Sequence, residues 1–176
     1  MRRSSLPVLA LVCALLPLVP AAVRADRKEK EEAAPSVELQ DEAGRVVRIA
    51  DLRGRVVLID FWASWCGPCA ASFPMLDDLY RRRHGEGLEV LAVNVDEERA
   101  AADRFLAGRP HQMPVFFDPK GVSPEAFRVE GMPSSYLLDR QGRIRFRHVG
   151  YRSSVGPVLE REVGELLSEE VPVAKP

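Results

Sequence analysis

The sequence predicts a layered α/β fold, a central mixed sheet flanked by helices with an antiparallel hairpin at one edge. Three observations carry that reading. Strand-length apolar runs alternate with segments of helical period along most of the chain. Two of those runs, Val56–Trp62 (VVLIDFW) and Leu88–Val95 (LEVLAVNV), are nearly continuous, as strands buried on both faces must be. Ahead of them, Asp41-Glu42-Ala43-Gly44 is a turn signature between two short strand-like stretches.

Taken from the N-terminus, the chain opens on an address. Met1-Arg2-Arg3-Ser4-Ser5 is basic, Leu6 to Val23 is apolar, and Val23-Arg24-Ala25 offers a small residue before Asp26. This layout predicts a secretory signal peptide over residues 1–25. The competing reading is an uncleaved anchor, because the apolar run reaches the lower edge of a membrane span. Pro17 and Pro20 break the run where a cleavable segment wants a helix break. On either reading the rest of the chain is expected outside the cytoplasm, periplasmic or otherwise extracytoplasmic, touching a membrane only if the signal stays uncleaved. Val12 before Cys13, with more apolar residues after it, speaks against lipid attachment there.

Residues 26–36 (DRKEKEEAAPS) are charged and read as a solvated tether, followed by one domain over 37–170 and a short tail over 171–176. Within the domain, Val37–Gln40 and Arg45–Ile49 form the hairpin. Pro68 to His84 is a helix with Pro68 in its first turn, where a missing N–H costs nothing, and Pro74 inside it is expected to kink it. Glu98–Ala107 is a helix closed by Gly108, Pro114–Phe117 a strand and Pro124–Arg128 a helical turn. Ser135–Asp139 and Arg143–Val149 are strands joined at Arg140-Gln141-Gly142, and Ser154 to Ser168 is a final amphipathic helix.

Length and composition set the outer bounds. The 176 residues suit one domain, and 46% hydrophobic with 29% charged residues is a globular composition. Without residues 1–25 the chain loses Arg2, Arg3 and Arg24 and no acid, leaving 22 basic against 26 acidic side chains, a formal charge of −4. Such a balance gives no reason to expect a nucleic-acid partner. Cys13 leaves with the same segment, so that Cys66 and Cys69 remain as an even pair in a C-x-x-C. In an exported chain that pattern is a redox signal.

Trp62-Ala63-Ser64-Trp65-Cys66-Gly67-Pro68-Cys69 sits where a buried strand hands over to a helix. At a helix N-terminus, unpaired N–H groups and the dipole favour the thiolate of Cys66, the attacking species in thiol–disulfide exchange. Cys69, one turn later, is placed to resolve the mixed disulfide. Trp65, Gly67 and Pro68 are expected to leave Cys66 accessible while Cys69 is sheltered. Zinc would need four ligands, and the sequence has no second Cys pair or H-x₃₋₅-H. A purely structural bridge over a two-residue gap removes little chain entropy.

The segment DFWASWCGPC closely resembles the thioredoxin active site, and further features resemble the TlpA/ResA-like branch of exported thiol–disulfide oxidoreductases. These are the N-terminal hairpin, Leu52-Arg53-Gly54-Arg55, Phe73-Pro74, and the run Gly131-Met132-Pro133-Ser134-Ser135-Tyr136 through Ile144. The resemblance covers about Val37 to Leu167. It implies a thioredoxin fold with the N-terminal hairpin and a short central insert, and it makes Pro133 a cis-proline beside the cysteines that offers backbone to an extended substrate. Trp62, Trp65 and Met132 would form an apolar collar around that substrate. Asp60 matches the family's buried acid, which exchanges the proton of the sheltered cysteine. Two positions depart from the pattern: Ala92 stands where thioredoxin has a lysine near that acid, and Ser72 where ResA-like chains often carry a glutamate.

The remaining charged groups read as ordinary surface. Arg81-Arg82-Arg83 closes a helix, Asp77-Asp78 and Asp96-Glu97-Glu98 look like solvated helix faces and starts, and His84, His111 and His148 are scattered. The expected function is reduction of protein disulfides by the Cys66–Cys69 dithiol, with no prosthetic group and no metal. Protein thiols and disulfides would be the substrates, and a membrane electron carrier of the DsbD/CcdA kind would recharge the pair. A disulfide oxidase or isomerase is the alternative within the fold. A copper-handling protein using Cys66, Cys69 and His148 is the alternative from another class, although Sco-type proteins space their cysteines differently.

Overall fold

The computed structural model describes residues 32–170. The expected signal peptide, Cys13, the first part of the tether and the tail lie outside the described residues. The elements follow in the order β1 (Glu32–Ala33), β2 (Glu38–Asp41), β3 (Val46–Arg48), β4 (Val56–Trp62), α1 (Gly67–Arg83), β5 (Leu88–Asn94), α2 (Arg99–Ala107), β6 (Val115–Phe117), α3 (Val122–Ala126), β7 (Ser134–Leu138), β8 (Arg143–Val149) and α4 (Val155–Ser168). The strands form one mixed sheet in the order β1-β8-β7-β4-β5-β6-β2-β3. β4, β5 and β6 are parallel, while β7, β8 and the β2–β3 hairpin run antiparallel to their neighbours.

Element boundaries fall within a residue or two of the sequence reading, with two differences of substance. Glu32–Ala33 belongs to the segment read as tether, yet it pairs with Arg143 and Ile144 of β8 and closes that edge of the sheet. A short polar stretch carries no apolar alternation, so its pairing is set by the partner strand alone. Ile49, read as the end of a strand, instead opens a 3-10 turn over Ile49–Leu52 and buries its side chain. Pro74 lies within α1, which runs unbroken from Gly67 to Arg83. Phe73, Leu76 and Leu79, at helical spacing, pin it to the sheet.

β4 organises the interior because all seven of its side chains are buried and successive ones point to opposite faces. Val56, Leu58 and Trp62 join the cluster formed with α1, α2 and α4. Val57, Ile59 and Phe61 join a second cluster with Leu39, Ile49, Phe127 and Tyr136 on the other face. Asp60 shares the parity of Leu58 and Trp62 and therefore faces the helix that carries the cysteines.

The β7–β8 connection depends on one carboxylate. Asp139 Oδ1 accepts the backbone N–H groups of Gln141 (2.9 Å) and Arg143 (3.0 Å), and Oδ2 accepts Arg143 Nε at 2.8 Å. Gly142, at φ +77°, supplies the left-handed residue the turn requires. Burial pushes the Asp139 carboxyl up, but the Arg143 backbone N–H and guanidinium outweigh it and hold the group below its usual range. Asp139→Ala is expected to cost about 2–3 kcal/mol in urea unfolding. A loss within error of zero would remove this turn from the stabilising contacts. The part of that stability due to ionisation is present above the unfolded carboxylate value and fades as pH falls through the lowered folded one.

Candidate active site

The buried strand β4 ends at Trp62, and four residues later the chain enters α1. Cys66 is the N-cap of that helix, and Gly67-Pro68 form its first turn. The turn is closed by Cys66 N–H donating to Ala63 O at 3.1 Å. Cys66 and Cys69 form a disulfide with their Cα atoms 5.2 Å apart, and Cys66 Sγ accepts the backbone N–H of Cys69 at 3.2 Å. The sulfur thus occupies the position where a helix start stabilises negative charge, and on reduction the same N–H is available to a thiolate. Cys69 is 1% exposed and Cys66 only 6%, so Cys66 is more closed than the sequence suggested. Gly67 and Pro68 are exposed beside it. Ser72, in place of a glutamate, is buried and donates its hydroxyl to Cys69 O at 3.1 Å.

The two tryptophans part company. Trp65 is 71% exposed next to the disulfide. Trp62 was expected in the collar but is 1% exposed, with its ring centroid 4.7 Å from Phe105 and 5.4 Å from Phe73. Its parity along β4 turns it toward the helices, where Phe73 of α1 and Phe105 of α2 cover it, so it is part of the core and not of an exposed collar.

The loop before β7 joins the same cluster through Met132. The Met132–Pro133 peptide is cis. Pro133 is buried, and half-buried Met132 packs against the cluster that contains both cysteines. The Pro133 carbonyl accepts Gly150 N–H at 2.7 Å, whereas among the described residues no hydrogen-bond partner meets the Met132 backbone. Val149 was not singled out in the sequence. It is the last residue of β8, pairs in register with Ser134, and is 64% exposed. Its Cγ1 lies 3.5 Å from where a Cβ on Gly131 would stand, which sets it against the same loop. Trp65 beside the disulfide and Val149 beside the cis-proline loop are the large apolar side chains left exposed here, and Met132 is half-buried.

Asp60 lies one strand position before Phe61, 2% exposed, with Ala92 of β5 and Ser135 of β7 as its register neighbours. The Ser135 hydroxyl donates to Asp60 Oδ1 at 2.6 Å. Burial pushes the Asp60 carboxyl up to about 7, against the opposing pull of that hydrogen bond. A buried carboxyl tuned near neutrality is suited to exchanging a proton with a thiol.

Two acids read as solvated are buried. Asp96 is buried and accepts the Ser64 backbone N–H (3.0 Å), the Ser64 hydroxyl (3.2 Å) and the Asn94 amide (2.8 Å). It thereby fixes the loop two residues ahead of Cys66. Asp77 is buried and accepts the backbone N–H groups of Gln112 and Met113. Both exchange water for several backbone or side-chain donors, the condition under which a carboxylate can be buried. The histidines are engaged elsewhere: His148 meets Glu162 at 2.6 Å, His84 meets Leu88 O at 3.1 Å, and His111 packs edge-on against Phe73.

Residues 29–162 match the Redoxin family. The chain is 32% identical over 139 residues to the thiol-disulfide oxidoreductase ResA of Bacillus subtilis, spanning 78% of both proteins. Among solved structures it is similar to a protein of Chlorobium tepidum assigned as a thiol:disulfide interchange protein DsbE (TM-score 0.76, 41% identity, 80% of this chain and 99% of that one). It is also similar to one of Bacteroides thetaiotaomicron assigned as a protein disulfide isomerase (TM-score 0.73, 26% identity, 79% and 90%). With the disulfide at the start of α1 and the sheet that positions it, these similarities establish that the chain belongs to the redoxin family and is a ResA-like thiol–disulfide oxidoreductase of the thioredoxin superfamily.

Proposed function

We propose that the protein is exported and reduces protein disulfides. The observation that carries this reading is the position of Cys66, an N-cap sulfur bonded to Cys69 and preceded by the exposed Trp65. In the reduced enzyme the Cys66 thiolate attacks one sulfur of a substrate disulfide. The Cys66–substrate bond forms, the substrate S–S bond breaks, and the leaving thiolate is protonated. Asp60 then accepts the Cys69 proton, and the Cys69 thiolate attacks Cys66, closing the internal disulfide and expelling the second substrate thiol. Two electrons pass from the cysteine pair to the substrate, and no other redox group is needed.

Trp65, Met132 and Val149 supply apolar contact to the substrate, and the unpaired backbone of Met132 can hydrogen-bond an extended segment. Gly67 and Pro68 keep the approach to Cys66 open. The signal-like N-terminus supports export, and a membrane dithiol carrier of the DsbD/CcdA kind would return electrons to the pair. The Gly-Pro between the cysteines and the apolar Met132 favour the reducing direction.

The deciding experiment is the reduction potential of the Cys66–Cys69 couple, measured in glutathione or dithiothreitol buffers through the fluorescence of Trp62 and Trp65. A value of about −250 mV or lower is expected for a reductant. A value around −120 to −150 mV would make the protein a disulfide donor or isomerase. Copper(I) added to the reduced protein is expected to bind without tight stoichiometry. A tight one-to-one complex would favour copper handling.

A further inference from the structure

A row of polar side chains crosses the face of the sheet that carries the cysteines. It begins at Asp60 on β4 and continues to Ser135 on β7, which donates to Asp60 Oδ1 at 2.6 Å. Ser135 stands directly opposite His148 of β8 in the antiparallel register. Side chains so opposed sit with their Cβ atoms about 5 Å apart on one face. His148 Nε2 in turn meets Glu162 Oε2 of α4 at 2.6 Å, and Glu162 is buried. α4 covers this face through Leu159 and Val163, members of the cluster that also holds Cys66 and Cys69.

Four polar groups on three strands and one helix are thus aligned through an otherwise apolar layer. Such placement is costly unless the groups satisfy one another. From β5, Asp60 faces only the Ala92 methyl, and from α1 it faces the cysteine pair. Ser135 is its hydrogen-bond partner, and beyond Ser135 the ionisable groups are His148 and Glu162. Among the described residues, His148 and Glu162 form ion pairs or side-chain hydrogen bonds with each other and with no other side chain.

We propose that Ser135, His148 and Glu162 are positioning residues for Asp60, forming with it one cross-strand unit that titrates together and sets the pH at which the Cys69 proton is taken up. The inference rests on the proposed role of Asp60 in proton exchange. The signs follow from the placement. The Ser135 hydroxyl donates to the carboxylate and favours its ionised form. Positive charge on His148, when it is protonated, would lie in the same row and favour the Asp60 carboxylate as well. The unit does from β7 and β8 what the Ala92 methyl cannot do from β5.

The test is a titration of the full domain by NMR, with carbon-13 in the aspartate carboxyls and histidine rings. Ser135→Ala is expected to raise the Asp60 midpoint by roughly one pH unit, and Ser135→Thr to restore it. His148→Gln, which keeps a donor for Glu162, is expected to raise the midpoint by roughly half a unit. Reciprocally, Asp60→Asn is expected to lower the His148 midpoint by the same amount, since coupling between two sites is mutual. An Asp60 midpoint unmoved in both Ser135→Ala and His148→Gln overturns the proposal. Movement in Ser135→Ala alone also overturns it, because the row then ends at Ser135. The underlying reading is tested separately by exchange kinetics. If Asp60→Asn exchanged disulfides at the wild-type rate, the role of Asp60 would fall whatever the titrations showed.

Discussion

Asp60→Asn is expected to make the protein markedly more stable at pH 8 and slower as an oxidoreductase. Burial holds the folded carboxyl at about 7, against 3.8 for the free group. A raised folded value means that the folded state binds the proton more tightly than the unfolded chain. The stability so gained is fully present below pH 4 and is lost as pH rises toward and through 7. Over that interval the loss amounts to about 4 kcal/mol. Asparagine cannot ionise and escapes it. For a domain of this size the difference at pH 8 corresponds to a melting temperature about 10–15 °C above that of the wild type, with little difference at pH 4. Differential scanning calorimetry across this range checks the claim, and parallel curves for the two proteins would contradict it. In the same variant the resolving step should slow by about a hundredfold and lose its inflection near neutral pH, because Cys69 no longer has a proton acceptor at hand.

Cys66→Ser and Cys69→Ala are expected to fail in different ways. Without Cys66 there is no attacking sulfur, and disulfide reduction should fall by at least about a thousandfold. Without Cys69 the attack proceeds but the mixed disulfide cannot be resolved, so Cys69→Ala should accumulate covalent adducts on Cys66. Non-reducing mass spectrometry after incubation with a disulfide-bearing protein distinguishes the two. Adducts on Cys66→Ser, carried by Cys69, would reverse the assigned order of attack. The geometry argues against that reversal, since Cys69 is the more deeply buried sulfur and lies inside the helix.

Much of this architecture could be read from the residues because its signals are local. The seven apolar or buried positions of β4 announce a central strand, and a C-x-x-C at a strand-to-helix junction announces the chemistry. What the sequence obscured depends on partners distant along the chain. Trp62 looks like half of a tryptophan pair flanking the cysteines, and only the arrival of Phe105 from α2 makes it core. Asp96 opens an acidic triplet that resembles a solvated helix start, and it is buried because Ser64, 32 residues earlier, brings it an N–H and a hydroxyl. His148 alternates with arginines on an edge-side strand, and nothing nearby in the sequence foretells Glu162. Val149 is one more apolar residue in a strand, and its exposure follows from ending β8 beside the cis-proline loop.

The alternation along β4 also has an evolutionary consequence. Every group the redox chemistry uses lies on the Asp60 face or at the end of the sheet, while Val57, Ile59 and Phe61 meet the hairpin side with Phe127 and Tyr136. The backbone of the sheet insulates one layer from the other. Substitutions under the hairpin can therefore drift in size and shape, or make room for insertions around α3, with little effect on the chemistry across the sheet. A fold divided in this way can acquire new docking elements on one side while the reactivity on the other stays fixed.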